Sequence, residues 1–123
     1  MGFHFNNFQM KAVIKELNKQ RLAKLSVKRR VLQPIKAGEF TISIQGGEMH
    51  YSTPRKDLAV KEYSSMEISL WSDNEKVKIS EALKDFPWYE ELKNSSATPN
   101  INDGLFGWLP VGTINELYIF LNK

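Results

Sequence analysis

Two stretches of alternating apolar and polar residues constrain the fold of this chain most. The first covers residues 40–45, with Phe40, Ile42 and Ile44 at alternate positions, and the second covers residues 66–71. Successive side chains of a strand point to opposite faces of a sheet, so each stretch predicts a strand with one buried face. These strands are expected to belong to an antiparallel sheet.

The residues that follow each stretch predict its hairpin partner. Gly46-Gly47 is a two-residue turn signal, so residues 48–52 are expected to return as a strand beside the first. Residues 72–75 form a second turn signal, which leads to a short strand over residues 76–79. The chain therefore predicts about four strands in two hairpins.

Helices are predicted at both ends. Apolar residues recur at helical spacing from Asn7 to about Lys24, which predicts an amphipathic N-terminal helix. The Thr113-Ile-Asn-Glu116 segment has the spacing of a capping box, and it predicts a C-terminal helix whose apolar face packs on the core. Residues 26–38 contain Pro34, which cannot continue a helix, and are interpreted as helix fraying into a loop.

Shorter elements fill the region between the second hairpin and the C-terminal helix. Ser80 is a suitable N-cap for a short helix over residues 81–86, and Pro87 can start a further turn over residues 88–92. Residues 94–104 are rich in Asn, Ser, Pro and Gly, which is typical of a mobile surface loop. The predicted class is α+β, with residues 1–123 forming a single domain.

Composition limits the compartment and the cofactors. The chain has 123 residues, of which 41% are hydrophobic and none is cysteine. Disulfides and thiolate metal sites are therefore excluded, and the cytoplasm is the expected compartment. No stretch approaches the roughly 18 apolar residues of a membrane span. Neither a phosphate-binding loop nor a dinucleotide fingerprint occurs, so we expect no cofactor and no membrane.

Charge is distributed unevenly along the chain. Nine basic residues and one acidic residue lie before Glu39, a net charge of +8, whereas the remainder carries −5. This asymmetry is typical of a nucleic-acid surface, of an acidic protein partner, or of two halves that attract each other. The candidates for contact with nucleic acid are Lys11, Lys15, Lys19, Lys28, Arg29 and Arg30.

The densest polar group of the sequence lies on the predicted strand over residues 48–52. Alternation places Glu48, His50 and Ser52 on one face, with Arg55 just beyond. A carboxylate beside an imidazole and a hydroxyl resembles a hydrolase site. However, residues two apart on a strand are separated by about 6.6 Å, which is long for a Ser–His hydrogen bond. The favoured interpretation is therefore that these side chains face solvent or a partner. The sequence favours a protein that is not an enzyme.

Two further features bear on function. A metal site is not expected, because His4 and His50 are the only histidines and no paired spacing joins them. Trp71 shares the polar face of its predicted strand, so it is a candidate contact residue. The predicted partner-binding face therefore comprises Glu48, His50, Ser52, Arg55 and Trp71.

The stretch Phe40-Thr-Ile-Ser-Ile-Gln-Gly-Gly-Glu-Met-His-Tyr-Ser-Thr-Pro-Arg55, with Tyr63-Ser-Ser-Met-Glu-Ile-Ser-Leu70 after it, resembles small uncharacterised proteins of bacteria and their phages. These proteins carry a His-Tyr-Ser-x-Pro-Arg segment after a strand. The resemblance covers about 30 residues and transfers no activity; it implies an accessory protein that binds a macromolecule. The sequence hypothesis is a binding protein with a protein partner or self-association. Nucleic-acid binding through the basic third is the alternative, and a hydrolase centred on His50 is the remote alternative.

Overall fold

The computed structural model describes residues 22–25, 30–58 and 62–123. These contain six strands, three α-helices and one 3-10 helix. The strands are β1 (Leu22–Leu25), β2 (Arg30–Leu32), β3 (Ile35–Ala37), β4 (Phe40–Gln45), β5 (Ser65–Ser72) and β6 (Leu105–Pro110). The helices are α1 (Ile79–Ala82), α2 (Tyr89–Asn94) and α3 (Val111–Leu121), and the 3-10 helix is Ile101–Asp103.

The strands form two antiparallel sheets. A four-stranded sheet has the order β3-β4-β5-β6, and β1 pairs with β2 in a separate two-stranded sheet. The α+β class and the antiparallel sheet of four strands are confirmed. The predicted N-terminal helix lies mainly outside the described residues, but its last predicted turn contains Leu22–Leu25, which is the strand β1.

The predicted alternation of burial is confirmed on the two central strands. The even-numbered residues from 40 to 44 and from 66 to 70 are buried, whereas the odd-numbered residues between them are partly exposed; at the strand ends, Gln45 and Ser65 are buried as well. They form one core with Phe106 and Leu109 of β6 and with Ile114 and Leu117 of α3. One face of the sheet is therefore covered by helix, and the other face carries Thr41, Ser43, Glu67, Ser69 and Trp71.

Both predicted hairpins have the wrong partner strands. The β4 strand pairs with β3 through a turn at Gly38 and Glu39, and with β5 on its other side. Residues 48–52 are not a strand, because the backbone turns sharply: the His50 amide donates to the Gly47 carbonyl oxygen. Residues 76–78 are not a strand either, since the Asn74 side chain accepts from the Lys76 amide and folds the chain into a turn.

The short elements differ from the prediction at their ends. Residues 26–38 were expected to be a loop, but they contain β2 and β3, and exposed Pro34 lies between these strands, where its missing amide donor costs no ladder hydrogen bond. The first short helix ends at Ala82 rather than residue 86, and its N-cap is Lys78 rather than Ser80. The turn expected at residues 88–92 is the helix α2.

The C-terminal helix is confirmed, but the predicted capping box is wrong. Helix α3 begins at Val111 with Pro110 as its N-cap, so Thr113 lies within the first turn. The Thr113 hydroxyl is fully buried and donates to Glu91 Oε1 at 2.8 Å. This bond joins α3 to α2, and the side chain that was expected to cap a helix instead links two helices.

The segment 94–104 was expected to be a mobile loop, but it forms hydrogen bonds with β6 and within itself. The Ala97 amide donates to the Leu105 carbonyl oxygen, and Ser96 forms an isolated bridge with Phe106. The Thr98 hydroxyl donates to Asp103 Oδ2 at 2.7 Å. Residues 95–97 therefore cover the free edge of β6.

Candidate functional site

The residues predicted to form one partner-binding face do not lie on one face. Glu48 and Arg55 are exposed, but His50 and Ser52 are buried, with 7% and 1% of their surfaces accessible. The prediction failed because the segment turns instead of extending as a strand. Trp71 is 45% exposed, as its strand register indicated, and it lies apart at the end of β5.

Ser52 holds the loop that follows β4. Its hydroxyl donates to the Pro54 carbonyl oxygen at 2.9 Å and accepts from the Gly47 amide at 3.1 Å. The hydroxyl proton is directed at the backbone and not at His50. This arrangement gives Ser52 a supporting role in the loop and does not resemble a nucleophile beside its base.

Glu67 of β5 is the carboxylate that contacts His50. Its Oε1 lies 3.2 Å from His50 Nδ1, and its Oε2 accepts from the Tyr51 amide at 3.0 Å. The sequence prediction paired His50 with Glu48, which is exposed. One carboxylate therefore fixes two successive residues of the loop against the centre of the sheet.

Tyr51 and Trp108 form a stacked pair on the surface. Their ring centroids are 4.6 Å apart and their planes differ by 21°, while 44% and 51% of their surfaces are exposed. The Trp108 amide also donates to the Tyr51 carbonyl oxygen at 2.9 Å. Gly107 lies against Tyr51, because a Cβ there would be 3.2 Å from Tyr51 Cβ. The loop is thus joined to β6 by backbone and rings.

Trp108 has a backbone conformation that bulky residues rarely adopt. Its φ is 50°, in the left-handed region, at a position where β6 pairs irregularly with β5. A side chain in this region costs about 1–2 kcal/mol. Such strain is concentrated at binding and catalytic sites, where the surrounding structure maintains it.

A further exposed apolar side chain adjoins the stacked pair. Leu105 begins β6 and lines a depression together with Tyr51. We call the three residues Tyr51, Leu105 and Trp108 the aromatic surface. Arg55 lies beside it, with its guanidinium carbon 5.5 Å from the centre of the Tyr51 ring.

Two depressions adjoin the aromatic surface, and Tyr51 and Ala97 line both of them. The larger has a volume of about 450 Å³ and is also lined by residues 94–96, Gly107 and Trp108. The smaller has a volume of about 170 Å³ and is lined mainly by apolar residues, including Leu105 and Ile68. A separate depression of about 320 Å³ lies beside Trp71 and shares no lining residue with these two.

Tyr51 and Trp108 are not among the contact residues that the sequence predicts. One signal was present: residues 105–109 form a short apolar run bounded by Gly104 and Pro110, which is consistent with a strand. The left-handed conformation of Trp108 has no such signal, because Trp does not favour it.

The basic candidates lie at the margin of the described chain. Lys11, Lys15, Lys19, Lys28 and Arg29 are outside the described residues, and Arg30 is the first residue of β2.

Across residues 22–25, 30–58 and 62–123, no three His, Asp or Glu side chains are grouped to hold a metal ion. None of the helices in these ranges combines the length and apolar character that crossing a membrane requires.

Comparisons of the chain with protein families, with curated proteins and with solved structures found no match.

Proposed function

We propose that this protein binds a protein partner through the aromatic surface. The observation that carries the proposal is Trp108, which keeps an exposed indole in a strained backbone conformation and stacks it on Tyr51. Neither strain nor exposure of an indole benefits folding, so a function outside the fold accounts for both.

The chemistry of the surface suits protein recognition. Trp, Tyr and Arg are the residue types that contribute most to binding energy at protein interfaces, and Trp108, Tyr51 and Arg55 lie together here. Two hydrogen bonds fix the backbone of the pair. The Tyr51 amide donates to Glu67, and the Trp108 amide donates to the Tyr51 carbonyl oxygen. A surface held in its binding conformation loses little entropy when a partner binds.

The wider setting is proposed from the sequence. The lack of cysteine favours the cytoplasm, and the resemblance over residues 40–55 and 63–70 favours an accessory protein of a bacterium or phage. The remote hydrolase hypothesis has less support, because the Ser52 hydroxyl is bonded to Pro54 and His50 is buried against Glu67.

Capture experiments with matched tryptophan variants test the proposal. The intact chain, Trp108→Ala and Trp71→Ala are immobilised and exposed to a lysate of the source cells. Trp71 is the control, because it is as exposed as Trp108 but lies beside another depression. We expect a partner that is retained by the wild type and by Trp71→Ala, and that binds Trp108→Ala about 30-fold more weakly. Equal recovery by all three, with circular dichroism showing each variant folded, would overturn the proposal.

Nucleic-acid binding is the second candidate, and the net charge of +8 before Glu39 favours it. Binding of short duplex DNA, single-stranded DNA and RNA is measured by fluorescence anisotropy from about 50 to 200 mM salt. Affinity that falls with salt, and falls again when Lys28, Arg29 and Arg30 are changed to Ala, would support this function. No binding at low salt would exclude it.

A further inference from the structure

We propose that the aromatic surface binds a proline-rich segment of the partner in the polyproline II conformation, with an acidic residue of that segment beside Arg55. This inference rests on the proposed function and adds the chemistry of the ligand. The inference follows from four observations. The backbone groups at the edge of β6 are already hydrogen-bonded, the two depressions adjoin each other, polar side chains lie beside Trp108, and Arg55 is charged.

The edge of β6 is already occupied, so a partner cannot add a strand there. The Leu105 carbonyl oxygen accepts from the Ala97 amide, the Gly107 amide donates to the Ser95 carbonyl oxygen, and the Trp108 amide donates to Tyr51. Strand addition requires free backbone groups along an edge. A polyproline II segment makes no such demand, because it docks through its rings and carbonyl oxygens.

The two depressions adjoin each other, because Tyr51 and Ala97 line both of them. A polyproline II helix has three residues per turn, so its rings recur on one side. In the proposed complex, two such rings of one segment occupy the two depressions beside Tyr51. The flat faces of Tyr51 and Trp108 suit the apolar surface of a pyrrolidine ring.

Polar groups beside Trp108 are available to the carbonyl oxygens of a bound segment. Asn94 and Ser95 line the larger depression, and within the described part of the chain their side chains form no hydrogen bond. A side-chain amide and a hydroxyl are both donors. The backbone of a polyproline II segment has no internal hydrogen bonds, so its carbonyl oxygens remain able to accept.

Charge indicates the flanking residue. Among the described residues, no charged side chain lines the larger depression, which suits an uncharged segment. Arg55 is exposed beside Tyr51 and, among the described residues, forms no ion pair. Glu67 lines the smaller depression, but its oxygens already bind the Tyr51 amide and contact His50. An acidic side chain of the partner would therefore lie beside Arg55, where it gains a charge-assisted contact.

Selection from a library of random nine-residue peptides displayed on phage tests the inference. The intact chain is the target, and Trp108→Ala and Arg55→Glu are selected in parallel. Enrichment on the wild type of peptides with two prolines two or three positions apart and a neighbouring Asp or Glu would support the inference. Arg55→Glu, an exposed change that leaves the core untouched, should instead enrich Lys or Arg beside the same prolines.

The other outcomes separate the inference from the function on which it rests. Peptides without proline that require Trp108 would overturn the inference and leave protein binding intact. A wild-type selection with no enrichment over Trp108→Ala would overturn both. Trp108-dependent binding of neutral oligosaccharides on a glycan array, without proline-rich peptides, would also overturn the inference, because stacking on a sugar ring would then explain the exposed rings.

Discussion

The Trp108 amide donates to the Tyr51 carbonyl oxygen at 2.9 Å, and the rings of the same two residues stack with their centroids 4.6 Å apart. A backbone hydrogen bond and a ring contact therefore join the loop after β4 to the last strand. The hydrogen bond favours the ring contact, because it positions the two Cα atoms from which the rings extend. The aromatic surface is thus held in place before any partner arrives, and its rigidity can be tested by removing one contact at a time.

Two replacements of Trp108 distinguish its backbone strain from its role in binding the partner. In Trp108→Ala a Cβ remains in the left-handed region, whereas Trp108→Gly removes it, so the glycine variant should unfold with a free energy about 1 kcal/mol higher than the alanine variant. Both should lose partner binding, because both lack the indole. Urea denaturation measures the difference. A glycine variant no more stable than the alanine variant would show that φ at this position is not strained.

Glu67 positions the loop, so its replacement should weaken binding without touching the aromatic surface directly. Glu67→Gln removes the carboxylate charge and replaces one of the two oxygens that contact the Tyr51 amide and His50 Nδ1 by an amide nitrogen. We expect a loss of about 1 kcal/mol in stability and a weaker affinity for the partner. Glu75→Gln is the matched control, since Glu75 is exposed in the turn after β5. Equal effects of the two changes on partner affinity would contradict a positioning role for Glu67.

Local pattern predicted which residues of the central strands are buried, but not how the strands pair. Burial at Ile42 and Ile68 follows from alternation, which is a property of neighbouring residues. The pairing of β5 with β6 joins segments separated by two helices and a 3-10 turn. No residue close to Met66 in the sequence indicates that Leu109 lies opposite it, because the pairing of these strands depends on how the whole core packs.

The sequence predicted Arg55, which lies beside the aromatic surface, but not the stacked pair at its centre. Register alone placed Trp71 on the polar face of β5, and it is exposed, but it lies beside another depression. The Tyr51 and Trp108 pair depends on a loop that folds over β6 and on an irregular pairing of β5 with β6. Alternation misplaced His50 and Ser52 for the same reason, since the segment 48–52 was treated as extended when it turns.

Ser52→Ala should destabilise the protein although it removes a single oxygen. The change leaves the Gly47 amide and the Pro54 carbonyl oxygen without their hydroxyl partner in a buried setting. The expected loss is about 1–3 kcal/mol. Ser64→Ala is the control, because the Ser64 hydroxyl bonds Thr53 at an exposed position, where the expected change is within about 0.5 kcal/mol. Equal stabilities for the two variants in chemical denaturation would show that Ser52 does not hold the loop.

Gly107→Ala should disturb the aromatic surface while the fold persists. An added Cβ would lie 3.2 Å from Tyr51 Cβ and 3.4 Å from Cδ2, and the exposed Tyr51 side chain can yield by a small shift. We therefore expect a stability change below about 1 kcal/mol, altered near-ultraviolet circular dichroism of the stacked rings, and weaker partner binding.

Gly104→Ala provides the contrast to Gly107→Ala. Gly104 has a φ of 72°, and an added Cβ would overlap the Leu70 carbonyl oxygen. The backbone there cannot adjust, so we expect the free energy of unfolding to fall by about 3 kcal/mol or more. Thermal unfolding and titration with the partner distinguish the two glycines. If Gly107→Ala leaves both the dichroism and the affinity unchanged, the stacked pair does not depend on close contact with β6. Binding would then have to be assigned to the indole of Trp108 alone.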